Sequence, residues 1–400
     1  MVKTIQSINK KIQNLNLSVF TVAVGVFLIS YFLLFVYPVF HLTGKMEYFQ
    51  YLKNLPASGE DLRWTIQSIN FKGEYIELMY SPLSNMFFHL FDKVSFKIIY
   101  VLFSAFSVIT LTFNILVLPQ KLGQQKSNLL VAMIFVLALF SYPFQFEIER
   151  GQWDVIIIFF VFFAIYCYHN NKLALAFAFF SFAIQLKLYP VIFIFAFVKD
   201  FRNLKKIFYD WSILFLINFV LLFIKGYQTF ISYVLGTVDY VDKPFLWFGN
   251  ISVSSFVHGL NLPSYFIPLF FAVYLSCLGY VVFKSRKNNI SGNNPTLILI
   301  LTIGAIILTN TSHDYRISIL FPAIVYLLLY ETKINSLNDI VFFIILFGAF
   351  FYLCFSYSAF SYLSLFKDIK FILMNKFSAI FILLIFITLR FRKQVGYTLP

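Results

Sequence analysis

The sequence predicts an all-α fold: a polytopic transmembrane bundle of about 11–12 membrane segments with a long extracytoplasmic first loop. Three observations carry this reading. Hydrophobic residues fill 60% of the 400 positions and charged ones only 12%, where soluble domains hold roughly half and a quarter, and mean hydropathy is +0.82. A water-soluble fold of this size would have too few polar groups to cover itself. Apolar runs such as Leu17–Phe40, Val94–Leu118 and Ser264–Phe283 reach the roughly 20 residues that a helix needs to cross about 30 Å of hydrocarbon. They are solid runs, unlike the alternating ~10-residue segments of a membrane barrel. Most Lys and Arg stand in short loops beside the runs, as topology signals do.

Taken in order, spans are expected at 17–40, 94–118, 128–146, 154–169, 173–186, 188–198, 208–224, 264–283, 296–310, 317–330, 340–357 and 371–389. The first follows Lys3, Lys10 and Lys11; it is too long for a signal-peptide core and lacks a small-residue cleavage site, so it is read as uncleaved. Leu173–Val198 is long for one crossing and is interrupted by Lys187 and Pro190. A tight pair of short helices meeting near Lys187 places Lys199, Arg202, Lys205 and Lys206 inside. The same layout puts Lys284, Arg286, Lys287, Arg390, Arg392 and Lys393 inside too, with both termini cytoplasmic. Cytoplasmic segments then hold 17 of the 31 basic residues but 4 of the 17 acidic ones, a bias that supports the orientation. Part of the acidic excess outside reflects longer outer loops. Helices of about 11–15 residues are too short to face lipid alone. His41–Lys93 and Lys225–Pro263 come out as long extracytoplasmic loops, and long loops in compact proteins are usually functional. No repeat or soluble domain interrupts residues 1–400, which read as a single membrane domain.

The net charge of +14 forms no compact basic domain, so a nucleic-acid partner is not expected. Cys167, Cys277 and Cys354 lie in apolar segments without metal-ligand or disulfide spacing. Gly-rich phosphate loops, zinc spacings and nucleophile elbows are absent from the sequence, and neither a cofactor nor a metal is expected.

Chemistry must come from polar islands between apolar runs. Lys187 has apolar sequence on both sides, and an ionisable residue there is a functional candidate by default; snorkelling to the interface is the plainer account. Glu147, Glu149, Arg150 and Asp154 surround Gly151-Gln152, as a dense site or as a solvated turn with an internal ion pair. His313, Asp314 and Arg316 separate two apolar runs, and an Asp314–Arg316 pair at a helix end is the structural alternative. Asn250-Ile251-Ser252 is a further island that also fits an Asn-x-Ser glycosylation pattern.

Together these islands make the chain resemble the GT-C integral-membrane glycosyltransferases, and within them the polyprenyl-phosphate-mannose-dependent type of glycosyltransferase family 87. The resemblance rests on Arg150-Gly151-Gln152-Trp153-Asp154 opening a span, Leu186-Lys187-Leu188-Tyr189-Pro190 some residues later, and the basic stretch Lys199–Lys206. Tyr80-Ser81-Pro82-Leu83 is similar to the family's Tyr-x-Pro-Leu. Gly249-Asn250-Ile251-Ser252 and Asp314-Tyr315-Arg316 before Phe321-Pro322 resemble late family features. The resemblance implies an inverting hexosyltransferase that moves mannose or a similar sugar from a polyprenyl-phosphate donor to a glycan or lipid acceptor at the outer face. It also implies binding roles for Glu149, Gln152, Asp154, Lys187, Asn250, His313, Asp314 and Arg316. Family members usually carry an Asp-Phe pair in the first outer loop, with the Asp as base. Here that place reads Gly44-Lys45-Met46-Glu47-Tyr48-Phe49, which makes Glu47 the expected base, with Glu60, Asp61, Glu74 and Glu77 as rivals. Asp154 stands where Asn is common. An O-antigen-type polymerase or ligase, or a transporter or flippase of lipid-linked glycans, is the alternative; a transporter should show duplicated halves, and none is visible. The expected location is the bacterial inner membrane.

Overall fold

The computed structural model describes residues 59–70, 80–91, 93–121, 128–241, 246, 249–330, 337–355, 371–372 and 375–394. The expected first span, Glu47, Glu74 and Glu77 lie outside them. Among the described residues the chain is helical without a β-strand, the nearest thing to one being a single antiparallel bridge between Asn250 and His313. The helices are α1 (Glu60–Asn70), α2 (Pro82–His89), α3 (Phe96–Thr112), α4 (Asn128–Phe140), α5 (Tyr142–Arg150), α6 (Asp154–His169), α7 (Leu173–Leu186), α8 (Leu204–Leu222) and α9 (Tyr227–Val241). There follow α10 (Val253–Gly259), α11 (Phe266–Asn288), α12 (Pro295–Ile307), α13 (Leu320–Tyr330), α14 (Leu337–Cys354) and α15 (Phe377–Gln394). A π turn, Phe113–Val117, extends α3, and 3-10 turns occupy Tyr189–Ala196 and Asp314–Ile319.

Length and burial sort these helices by solvent. Phe96–Val117 and Phe266–Asn288 are long and apolar enough to cross a membrane, with 39% and 17% of their apolar windows buried. Their outer faces expose Ile98, Leu102, Leu275 and Phe283. The shorter α12 is apolar all round and buried along its whole length, which a helix too short to span can be only inside a bundle. Its start is fixed by Pro295 at the first turn and by Asn294, whose Oδ1 accepts from the Thr296 and Leu297 N–H groups at 2.9 and 3.4 Å. That is the arrangement that satisfies otherwise orphaned amides.

Two sequence expectations need correcting, and a third, the pair of short helices meeting near Lys187, is met with its second member as a 3-10 run. The span at 128–146 is bent by 48° between α4 and α5, where Pro143 cannot supply an amide to a continuous helix. The segment 225–263 is not an open loop: α8 turns by 105° into α9 at Gly226, whose φ of +90° suits glycine, and α10 follows. The expected span at 188–198 is a 3-10 run that returns toward the start of α7. Lys199 Nζ donates to Asn171 Oδ1 and lies over the Tyr168 ring, and His169 meets the Ala196 carbonyl at 2.9 Å. Residues 173–198 therefore go out and come back, with Lys187 at the tip. The basic residues Lys199, Arg202, Lys284, Arg286 and Lys287 gather at the end opposite that tip, where Arg202 caps the Arg286 and Lys287 carbonyls at 3.0 Å.

Candidate active site

The site is assembled at the tip of the α6–α7 pair. Helix α5 ends at Arg150, and Gly151 closes it in the left-handed conformation with φ of +67°. A Cβ there would lie 2.8 Å from Leu62 Cβ and 2.9 Å from Gly59 Cα, so glycine is needed for backbone freedom and for close approach at once. The approach brings the start of α1 across the turn. Gly59 N–H donates to the Glu149 carbonyl at 2.7 Å, which sets Glu60 against Arg150 at 2.8 Å and Asp61 against the other guanidinium nitrogen.

Asp154 opens α6, where the positive end of the helix dipole favours a carboxylate. The following amide, Val155 N–H, is satisfied at 2.7 Å by Glu147 of α5, whose second oxygen accepts from Ser318. Glu147 thus braces α5, α6 and the 314–319 turn. Lys187 leaves α7 in extended conformation (φ −149°, ψ 144°), ahead of Pro190. Its Nζ reaches Asp154 Oδ2 at 2.7 Å and Gln152 Oε1 at 2.8 Å. The Trp153 and Tyr315 rings flank the ammonium at 5.1 and 5.7 Å, within range of a cation–π attraction. Arg316 approaches Asp154 Oδ1 with Nε at 3.5 Å, donates through Nη1 to Thr309 Oγ1 at 2.6 Å and the Thr311 carbonyl at 3.1 Å, and lies over Tyr189.

The charges fall into two poles. Lys187 and Arg316 share one carboxylate, Asp154, with Glu147 buried behind it, so that on the accessible side of this cluster the cations are the exposed groups. Glu60 and Asp61 share one cation, Arg150, and leave an excess of negative charge. Gln152 joins the poles: its Oε1 accepts from Lys187 and its Nε2 donates to Asp61 Oδ2 at 2.7 Å. Two hydrogen bonds and the width of one amide bring the Lys187 ammonium and the Asp61 carboxylate within about 8 Å. Their accessibility differs usefully, since Asp154 is fully buried whereas the Lys187 and Asp61 side chains are 13% and 22% exposed.

Of the residues singled out from sequence, Gln152, Asp154, Lys187 and Arg316 converge, together with the rival carboxylate Asp61. The pairs found are not the internal ones raised as structural alternatives: Arg150 pairs across to α1, and Asp314 pairs with Lys376 at 3.4 Å. Asn250 is fully buried and pins the adjoining loop, its Oδ1 accepting from Ser312 N–H at 2.8 Å and its Nδ2 donating to the Asn310 carbonyl at 3.4 Å; burial removes it from glycosylation. His313 sits 5.3 Å from the Tyr315 ring, and burial together with Arg316 pushes its pKa down to about 4, so it is neutral at pH 7. Glu149 joins the site through its carbonyl. The family-like Tyr80-Ser81-Pro82 run supports the floor: Tyr80 lies 6.0 Å from the Trp153 ring and Ser81 donates to the Gln185 carbonyl at 2.6 Å. Thr309, Ser318, Asn375 and Lys376 were not anticipated. Only Lys376, a charge inside the expected span 371–389, gave a sequence signal. Among the described residues no group of His, Cys, Asp and Glu could hold a metal ion.

A cavity of about 330 Å³ lies between α7, the 189–196 turn, α8 and α9. Ile184, Leu188, Val191, Leu214, Phe215 and Val234 line it, and Gln185 and Leu188 place its near end beside Lys187.

No curated protein matches the chain. The family model described as glycosyltransferase family 87 matches residues 78–312, more than half of the chain, including the turn before α6, Lys187 and the Asn250 island. The chain therefore belongs to glycosyltransferase family 87, a GT-C type family, and is a membrane glycosyltransferase.

Proposed function

We propose that the protein transfers a hexose, mannose or a similar sugar, from a polyprenyl-phosphate donor to a hydroxyl of a glycan or lipid acceptor, with inversion. The observation that carries this reading is the pair of opposite poles joined by Gln152. In the reaction the acceptor oxygen forms a bond to the anomeric carbon, the bond from that carbon to the phosphate oxygen breaks, and the electron pair leaves with the lipid phosphate. Negative charge grows on the phosphate, and fixed cations in a site that excludes water stabilise it most. Lys187 and Arg316 are in place for that, and their shared Asp154 keeps them close without cancelling both. The acceptor proton needs a general base, and an accessible carboxylate can serve. Among the described residues Asp61 serves best: Arg150 and Gln152 fix its oxygens, each of which keeps a further lone pair, and it is accessible where Asp154 and Glu147 are buried. Glu47 remains the other candidate, and the test compares the two. The apolar cavity, whose lining includes Leu188 next to Lys187 in the chain, suits the first isoprene units of the donor.

The basic cluster at the opposite end of the bundle supports an extracytoplasmic site and cytoplasmic termini; the membrane proposed is the bacterial inner one. Residues 1–400 are taken as one domain. Transfer from defined polyprenyl-phosphate hexoses by purified protein tests the reading. Lys187→Ala should lower kcat by about 10²–10³, and loss of the true base should cost about 10²–10⁴ in either Asp61→Asn or Glu47→Gln. Turnover with nucleotide sugars and none with lipid-phosphate sugars would refute it.

A further inference from the structure

Immediately before α15, Asn375 and Lys376 tie together the two polar islands beside the site. Asn375 Nδ2 donates to the Asn250 carbonyl at 2.8 Å, while its Oδ1 accepts from Phe377 N–H at 3.0 Å and caps α15. Lys376 is fully buried; it pairs with Asp314 at 3.4 Å, donates to the Leu353 carbonyl at 3.3 Å and lies 5.1 Å over the Tyr142 ring. Both residues lie outside the segment that matches the family. Asp314 is fully buried as well.

A buried lysine and a buried aspartate are costly unless paired, yet this pair makes no contact with Asp154, Lys187 or Gln152. Its place in the 314–319 turn suggests what it does. Successive residues of a 3-10 turn project about 120° apart, so Asp314 and Arg316 leave the turn in different directions. Asp314 goes to Lys376 and Arg316 goes to Asp154, and the turn is held between two ion pairs. Without Lys376, Asp314 would be a buried carboxylate two residues from the nearest guanidinium and would compete with Asp154 for it.

We propose that Lys376 is a positioning residue for the donor phosphate: it holds Asp314 on the far side of the turn, so that Arg316 stays on Asp154 beside Lys187. This rests on the reading that Arg316 meets the lipid phosphate. Asn375, anchored on the Asn250 island, fixes Lys376 to the loop that carries the arginine.

The test uses full-length protein in lipid nanodiscs: wild type, Lys376→Met, Lys376→Arg and the double variant Lys376→Met/Asp314→Asn. Residues along a coupled network shift such affinities by roughly 2- to 30-fold. Lys376→Met should raise KM for the polyprenyl-phosphate sugar about tenfold with KM for the acceptor unchanged, and Lys376→Arg should restore it. In the double variant the competing carboxylate is gone, so donor KM should return close to wild type. A role in packing alone would leave the double variant as impaired as Lys376→Met, and that result overturns the proposal, as does an unchanged donor KM in a folded Lys376→Met. If Lys376→Met does not fold, the double variant decides by the same comparison with wild type. Hydrogen exchange supplies a readout independent of turnover: the Ser312 and Arg316 amides should exchange faster in Lys376→Met than in the double variant, with Val155 unaltered. Equal protection in both overturns the clamp. A wild type that uses no lipid-phosphate sugar refutes the functional reading instead and leaves the exchange result to decide the clamp.

Discussion

Replacing Asp154 by asparagine removes the charge that Lys187 and Arg316 share while keeping the shape and an acceptor oxygen. Asp154 has no exposed side-chain surface, Lys187 has 13% and Arg316 9%, so water screens these contacts little. Removing one partner of a buried pair costs about 3–5 kcal/mol, chiefly because the other charge is left uncompensated. Lys187 keeps its hydrogen bond to Gln152 and its two aromatic neighbours, which places Asp154→Asn at the lower end, about 3 kcal/mol. Lys187→Met should cost a similar amount, about 3 kcal/mol, since Asp154 then holds only Arg316 at 3.5 Å. The informative measurement is the double variant. With carboxylate and ammonium both gone, neither strands the other, and its cost should be about 3 kcal/mol instead of about 6. That corresponds to a coupling of about 3 kcal/mol, at the top of the range for residues in contact. SDS-induced unfolding of the four proteins in mixed micelles reads the cycle. Additivity within about 0.5 kcal/mol would refute the argument, because it would mean that water or other groups already screen the pair.

Four further predictions follow from the same geometry. Gly151→Ala should destabilise by about 1–3 kcal/mol and lower kcat, because its Cβ meets α1 and must move Asp61 or Gln152; thermal unfolding beside a turnover assay checks both effects. Gln152→Leu should lower kcat with little change in acceptor KM, since the amide orders both poles, and Gln152→Glu should weaken the donor complex by adding a carboxylate beside Lys187; steady-state kinetics with the donor varied separates the two. His313 has its pKa depressed from 6.5 to about 4, so the unfolded chain binds the extra proton first as pH falls. The part of the stability contributed by this group should therefore be full above pH 6.5 and should fall by up to about 3 kcal/mol between pH 6.5 and 4; the difference between wild type and His313→Gln, in unfolding measured across the range, should show that fall. Ile184→Trp should fill part of the apolar cavity and raise KM for long-chain donors about tenfold while sparing a short-chain analogue, as donors of graded chain length would show.

Much of the fold was legible because the membrane imposes a rule that composition alone reveals: apolar runs become helices, since backbone groups in hydrocarbon must bond within their own segment. The break at Lys187 was legible for a related reason, a charge and a proline in one apolar run. The bend at Gly226 was not, because 225–263 carries enough polar residues to resemble a loop, and only packing against α2 makes α9 part of the bundle. The same limit governed the ion pairs. Neighbours in sequence suggested Asp314 with Arg316 and an internal pair near Gly151, but residues two apart on a tight turn point to different neighbours, and the partners came from α1 and from the residue before α15.

By itself the sequence determined an all-helical membrane protein, its membership in glycosyltransferase family 87, and the identity of Gln152, Asp154, Lys187 and Arg316 as polar groups that apolar surroundings would not tolerate without partners. Tertiary structure alone decided who those partners are: two cations on one buried carboxylate, and two carboxylates on one arginine, joined by a single amide. The physical reason is range. Hydropathy is summed along the chain and survives in the sequence, whereas an ion pair depends on ångström distances between segments far apart along it, and only packing sets those.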